Sequence, residues 1–154
     1  MPDFTSPALI EHVALLRGSY RHWTGKDLLP PELNSVDAVR ALDDARFAVV
    51  SHGTQADPIF NYGNRLALRL FEMEWEEFTA LPSRLSAEAV DRDERQRLLA
   101  QVEARGYSDN YGGVRISKTG RRFEIGAATV WNLIDGEGRN RGQAALIRQW
   151  RALP

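Results

Sequence analysis

The stretch GVRISKTGRRFEIGAATVWNLID, Gly113–Asp135, decides the fold class. Val114 and Ile116 alternate with Arg115 and Ser117, the two-residue period of a half-buried strand. Lys118-Thr119-Gly120-Arg121 supplies turn residues, and from Phe123 the odd positions through Leu133 read Phe, Ile, Ala, Thr, Trp, Leu. A longer strand with one strongly apolar face is expected there. Asp135-Gly136-Glu137-Gly138 marks another turn, and Gly142 to Trp150 reads as a third strand. The last third of the chain is therefore an antiparallel meander.

Upstream, the apolar period lengthens. Ser6 is placed to cap a helix and Pro7 suits its first position. Leu9, Val13, Leu16, Tyr20 and Trp23 then fall on one helical face. This N-terminal stripe is expected to fold back on the sheet and to contribute to a homodimer contact. Gly25 and Pro30-Pro31 end it, and a short helix is expected from Ser35 as cap. Arg46 to Ser51 and Ile59 to Tyr62 read as short strands around the Asp57-Pro58 turn. Asn64 reads as the cap of a helix burying Leu66 and Leu70. Trp75 to Phe78 reads as a brief helix. Asp91 with Glu94 suggests a capping box for a longer one that buries Leu98, Leu99 and Val102 and stops at Gly106. Its other charges read as a solvated face. Strands at both ends of the order with helices between them give an α+β domain: a five-stranded antiparallel sheet with short helices on one face and an N-terminal amphipathic helix.

Composition narrows the function classes. The 154 residues suit one domain, and 20 basic against 21 acidic side chains leave a net charge of −1. That offers no footing for direct nucleic-acid binding, which rests on a basic surface. The absence of cysteine excludes disulfides, thiolate metal sites and a cysteine nucleophile. His12, His22 and His52 are too scattered to suggest a metal site. No apolar run reaches membrane-spanning length and Asp3 stands where a signal peptide carries basic residues, so a cytoplasmic protein without membrane attachment is expected.

Four stretches carry a narrower resemblance: VSHGTQADPIFNYGNR (Val50–Arg65), LPSRLSAE (Leu81–Glu88), GVRISKTGRRF (Gly113–Phe123) and ATVWNLID (Ala128–Asp135). They resemble the free-standing bacterial MEKHLA-domain proteins, a PAS-like family, over most of residues 8–151. The resemblance implies residues 1–34 as helix and linker and 35–154 as the PAS-like MEKHLA domain. The hexapeptide that names the family is missing, as are a homeodomain and a leucine zipper. The transcriptional role of the plant members therefore does not carry over. PAS domains enclose a cofactor or small ligand between sheet and helices, or pair with partners through the sheet and an N-terminal helix. A cysteine-linked flavin or chromophore has no cysteine here, and Asp91 to Arg105 offers no histidine to a haem. A noncovalent small ligand of unknown identity remains.

The resemblance places the pocket among apolar residues such as Val49, Leu66, Phe78, Ile125 and Leu133, which equally pack as plain core. The candidate ligand-binding residues are Asn61, Trp75, Arg84, Tyr111, Phe123, Thr129, Trp131 and Gln143. Most are polar groups that could orient a ligand in an apolar pocket. Arg84 lies in a loop and equally serves to brace it. The reading preferred is a stand-alone sensory or binding domain that recognises a small molecule or a partner protein and signals in trans. Two alternatives stay open: a small enzyme using His52 and Asp57 as acid–base groups, and a pure interaction module. No Walker loop, dinucleotide fingerprint or nucleophile elbow is present, and no catalytic residue is assigned.

Overall fold

Ser6 Oγ accepts from the Leu9 amide and Pro7 fills the first turn, so α1 (Pro7–Thr24) starts where its sequence signals. It does so in a computed structural model that describes residues 1–154. Leu9, Val13, Leu16 and Tyr20 form the buried stripe, and Gly25 closes the helix in the left-handed conformation. A linker leads to α2 (Ser35–Asp43), whose N-cap is Asn34 rather than Ser35. Next come β1 (Ala48–His52) and β2 (Phe60–Gly63), then α3 (Arg65–Phe71) and α4 (Trp75–Phe78). A 3-10 turn at Ser83–Ser86 precedes α5 (Ala89–Arg105). This helix is capped by Glu88, so Asp91 lies inside its first turn and is not the cap. The remaining strands are β3 (Tyr107–Ile116), β4 (Arg122–Ile134), β5 (Asn140–Ile147) and β6 (Trp150–Ala152).

The strands pair antiparallel in the order β2-β1-β5-β4-β3, with β6 beside the start of β4. The expected last strand is thus split. Ala127 takes φ 49°, and across from this irregularity the chain runs loose between Ile147 and Trp150, leaving β5 and β6 along the same edge of β4.

Helices cover both faces. On one, α1 and α2 bury Val13, Leu16, Val39 and Leu42 against Val49, Trp131, Leu133 and Leu146. On the other, Ala67, Phe71, Phe78, Leu99 and Val102 meet Val50, Phe60, Phe123, Ile125 and Val130. Burying one such aliphatic or aromatic side chain contributes about 1.5–3 kcal/mol. The N-terminal helix thus folds back on its own sheet. Ser19 ties it to the Ile134 amide and carbonyl, and Trp23 Nε1 donates to the Asn132 carbonyl at 2.9 Å. Gly106 lets Trp23 lie close: a Cβ there would sit 2.3 Å from the indole ring, at φ +103°.

The irregularity at Ala127 also shifts the alternation of β4. Phe123 and Ile125 share a face with Ala128 and Val130, while Trp131 and Leu133 turn to α1. In β3 the phase is opposite to the one expected. Arg115 and Ser117 are buried, and Val114 and Ile116 are only half-buried. Arg115 pairs with Phe123 and therefore projects from the same face as that core residue. The register shifts around Tyr111 and Gly113 set this phase.

Asn64, fully buried, joins the segments. Its Oδ1 accepts from the amides of Val49 (3.0 Å) and Ala67 (3.2 Å), and its Nδ2 donates to the carbonyls of Leu42 (2.9 Å) and Phe47 (2.8 Å). Replacing it removes a hydrogen-bond partner from four backbone groups, and each buried one left unpaired costs about 1–3 kcal/mol. Asn64→Ala is expected to lower the unfolding free energy in urea by about 3 kcal/mol or more. Exposed Asn110→Ala should change it by less than about 0.5 kcal/mol; similar values for the two would refute this role.

Candidate functional site

Between the sheet and α5 lies a narrow cavity of about 40 Å³. Val50, Phe60, Phe71, Leu99, Ile125, Val130 and Ile147 give it an apolar wall, into which His52, Ser86, Arg95, Tyr111, Arg115 and Gln143 bring polar groups. A larger groove, about 400 Å³, adjoins it and shares His52, Arg95, Leu99 and Gln143. The loop Gly53–Pro58, Arg84, Glu103 and Asn140 line this outer groove.

Each polar side chain is fixed by its element. Gly142 allows β5 to press against β1 beside His52: a Cβ there would stand 2.0 Å from the His52 carbonyl oxygen, at φ +121°. The His52 ring lies with Nδ1 3.1 Å from the Gly53 carbonyl, which assigns the proton to Nδ1 and leaves Nε2 an acceptor. Nε2 is buried without a partner. Burial pushes the His52 pKa below its usual 6.5, partly offset by the Gly53 bond. Gln143, paired with His52 across β1 and β5, donates to the Leu99 carbonyl (3.0 Å) and Asn132 Oδ1 (3.2 Å).

Arg95 and Arg115 are 7% and 4% exposed. Arg115 donates to the Val114 carbonyl (2.7 Å) and to the Tyr111 hydroxyl, with its guanidinium 5.3 Å from the Tyr111 ring centre. Burial opposes the charge on Arg95 most, Tyr111 favours it, and the nearby Arg115 charge opposes it. None of the protein's ion pairs includes either arginine.

Of the residues singled out from the sequence, Tyr111 and Gln143 reach the cavity, as does His52. Arg84 sits on the outer groove, where its Nε meets Asp57 at 3.1 Å. Asp57 is thereby engaged and has no hydrogen bond to His52. Phe123 packs edge-on against Phe71 at 5.2 Å in the core beside the cavity, without lining it. The others lie elsewhere. Trp131 contacts Tyr20 edge-on at 5.0 Å under α1, and its Nε1 is buried without a partner. Thr129 donates to Asp109 at 2.9 Å, and Trp75 meets Tyr62 edge-on at 5.8 Å. Asn61 accepts from Ser51 Oγ, whose other partner is His12 Nε2 at 2.8 Å. Because Ser51 gives its proton to Asn61, His12 donates, which fastens α1 to the sheet through a neutral imidazole. Arg95, Arg115 and Ser86 escaped the sequence reading. Arg95 carried a signal, since it precedes Leu99 and Val102 by one and two helical turns on the buried stripe of α5. No cluster of three or more His, Asp or Glu side chains is placed to hold a metal ion, and no helix is long and apolar enough to cross a membrane.

The family model for the MEKHLA domain matches residues 10–152. Two Arabidopsis thaliana proteins are similar. Homeobox-leucine zipper protein ATHB-9 is 27% identical over 154 residues, and ATHB-14 is 26% identical over 153. Each alignment takes in 95% of this chain but 18% of the plant protein, so the chain spans about a fifth of their length. Among solved structures, a PAS domain from Colwellia psychrerythraea superimposes with a TM-score of 0.62 at 17% identity, covering 71% of this chain and 91% of that one. The light-state dimer of the fungal blue-light photoreceptor Vivid gives 0.59 at 16% identity, covering 88% and 90%. A further match is a light-oxygen-voltage domain studied with a flavin analogue, with a TM-score of 0.60 at 18% identity, covering 75% and 84%. The fold is that of PAS domains. A flavin adduct does not fit this chain, which has no cysteine. Its cavity of about 40 Å³ is also far smaller than the roughly 300–1,000 Å³ pockets that hold drug-sized ligands.

Burial holds the His12 pKa down at about 4, with the Arg141 charge adding to the effect. In the unfolded chain His12 takes up a proton below its ordinary 6.5. Its contribution is therefore complete above 6.5 and is lost as pH falls towards 4, by about 3 kcal/mol in all. His12→Gln, neutral throughout, is expected to show a shallower loss of stability than the parent between pH 6.5 and 4. Parallel curves in urea titrations would refute the assignment.

Proposed function

This chain belongs to the MEKHLA-domain family, and from that premise and its PAS fold we propose that it is a sensory domain whose input is a small molecule held between the sheet and α5. One observation carries the reading: several buried polar groups from five different elements face one apolar cavity, with His52 Nε2 left without a donor. Cores that serve packing alone pair such groups with one another, whereas an oriented ligand site needs a few of them free. The adjoining groove supplies a route inward past His52, Arg95 and Gln143.

The output of such a domain would be read on the opposite face. Gln143 lines the cavity, while its neighbour Ala144 packs in the core beneath α1. A displacement of β5 by a ligand is then felt by α1, the surface for a partner protein or a second copy of the chain. No step of this reading needs a reaction, and His52 and Asp57 serve it as a cavity wall and a groove brace.

The test is a pair of mass spectra, native and denaturing, on freshly purified protein. The expected result is an additional noncovalent mass that disappears on denaturation. It should fall away in Ala145→Val, which adds bulk to the cavity wall at a cost of about 1–3 kcal/mol in stability. A bare mass in both spectra, or an adduct equally present in the variant, would count against the cavity as the input site.

A further inference from the structure

We infer that the molecule received by this cavity is a small organic carboxylate whose charged group lies against Arg95 and Arg115. The inference rests on reading the cavity as a ligand site and adds the class of ligand.

A buried guanidinium is retained in proteins when it is paired, because removing a charge from water without a partner costs several kcal/mol. Here two are buried on one cavity, from α5 and β3, and neither has a carboxylate partner. They are close enough for the charge of Arg115 to oppose that of Arg95. Arg115 spends part of its donor set on Val114 and Tyr111, and Tyr111 is also the group that favours the charge on Arg95, so both guanidiniums share one hydroxyl. That hydroxyl accepts from Arg115, but it is not a carboxylate counter-ion to either. The adjoining outer groove carries two acidic side chains, Asp57, which is taken by Arg84, and Glu103. What the cavity lacks is one negative charge with several acceptor lone pairs.

Two further features choose among anions. Beyond the arginines the wall is apolar, supplied by Val50, Phe71, Leu99 and Ile125. An inorganic phosphate would set three or four solvated oxygens against that wall, while a carboxylate presents two oxygens to the guanidiniums and a hydrocarbon end to the rest. The cavity volume of about 40 Å³ admits a short chain and not a fatty acid. His52 Nε2, an acceptor without a donor, marks where a hydroxyl on such an acid would be received.

The experiment is thermal unfolding of the full chain, first stripped of small molecules in a carboxylate-free and phosphate-free buffer. Propionate, its neutral isostere propionamide, and inorganic phosphate are the probes. Propionate at a concentration far above its Kd is expected to raise Tm by about 2–4 °C, with propionamide and phosphate giving no shift. Arg95→Met removes one of the two charges while keeping the stem, and should reduce propionate affinity at least tenfold by titration calorimetry. Without ligand this variant should melt no lower than the parent, because it relieves two unpaired like charges; a merely structural arginine would lower Tm instead. Arg115→Met should lose the propionate response as well. If it fails to fold for want of the Val114 and Tyr111 bonds, Arg95→Met decides alone. Equal shifts with propionamide and propionate, or a shift with phosphate only, would overturn the carboxylate assignment and leave the cavity a ligand site. No shift with any probe would overturn it too. The native mass spectrum then separates the cases: an adduct sensitive to Ala145→Val keeps the site and discards the ligand class, and a bare mass discards both.

Discussion

One side chain closes the frame of this domain. Asn64 is fully buried and spends both its acceptor and donor capacity on backbone from α2, the approach to β1, β1 itself and α3. A side-chain amide offers two donors and an acceptor in one plane, so aspartate or leucine at this place would leave carbonyls or amides unsatisfied. The consequence reaches both layers. Leu42 ends the helix under α1, Val49 and Val50 point to opposite sides of the sheet, and Ala67 begins the helix that carries Phe71 to the cavity.

Much of this arrangement is legible in the residues. The α1 stripe, the Asn64 cap, the turn at Lys118–Arg121 and the meander follow from periodicity and turn chemistry. Asn64 reads as a cap because its short amide sits before an apolar helical period, yet its bonds to Leu42, Phe47 and Val49 join segments far apart in sequence. Strand phase was less legible. A period of two assigns faces only while the strand stays regular, and the register shifts at Ser108–Gly113 with the positive φ of Ala127 each reverse it. That is why Phe123 and Trp131, eight positions apart and in step by simple alternation, face different cores.

The same slip governs the candidate site. Tyr111 and Gln143 stand out as polar residues in apolar strands and do reach the cavity, while Thr129, which stands out for the same reason, and Trp131, an aromatic expected on the inner surface, face α1. Arg115 was hidden by the expectation that Val114 points inward. Arg95 was hidden by the surrounding charges of α5, which read as one solvated face. Composition weighs charges equally, but a helix presents only the residues of one stripe to its neighbour, and Arg95 shares that stripe with Leu99 and Val102. The informative feature was a charge in phase with the apolar residues.

The strand order has a consequence for how the chain folds. β1 lies between β2, its neighbour in sequence, and β5, so that Ala48 pairs with Ile147 about a hundred residues later. The centre of the sheet therefore joins strands from opposite halves of the chain. Closing such a loop costs entropy before its contacts repay it, which raises the contact order and slows folding. The hairpin of β3 and β4 and the cluster around Asn64 are more local and can form first. On a growing chain both wait for β5, and until it arrives the edge of β1 is an unpaired template for another strand. The strand that separates cavity from helix in the finished domain is thus also the one whose arrival ends its exposure to aggregation.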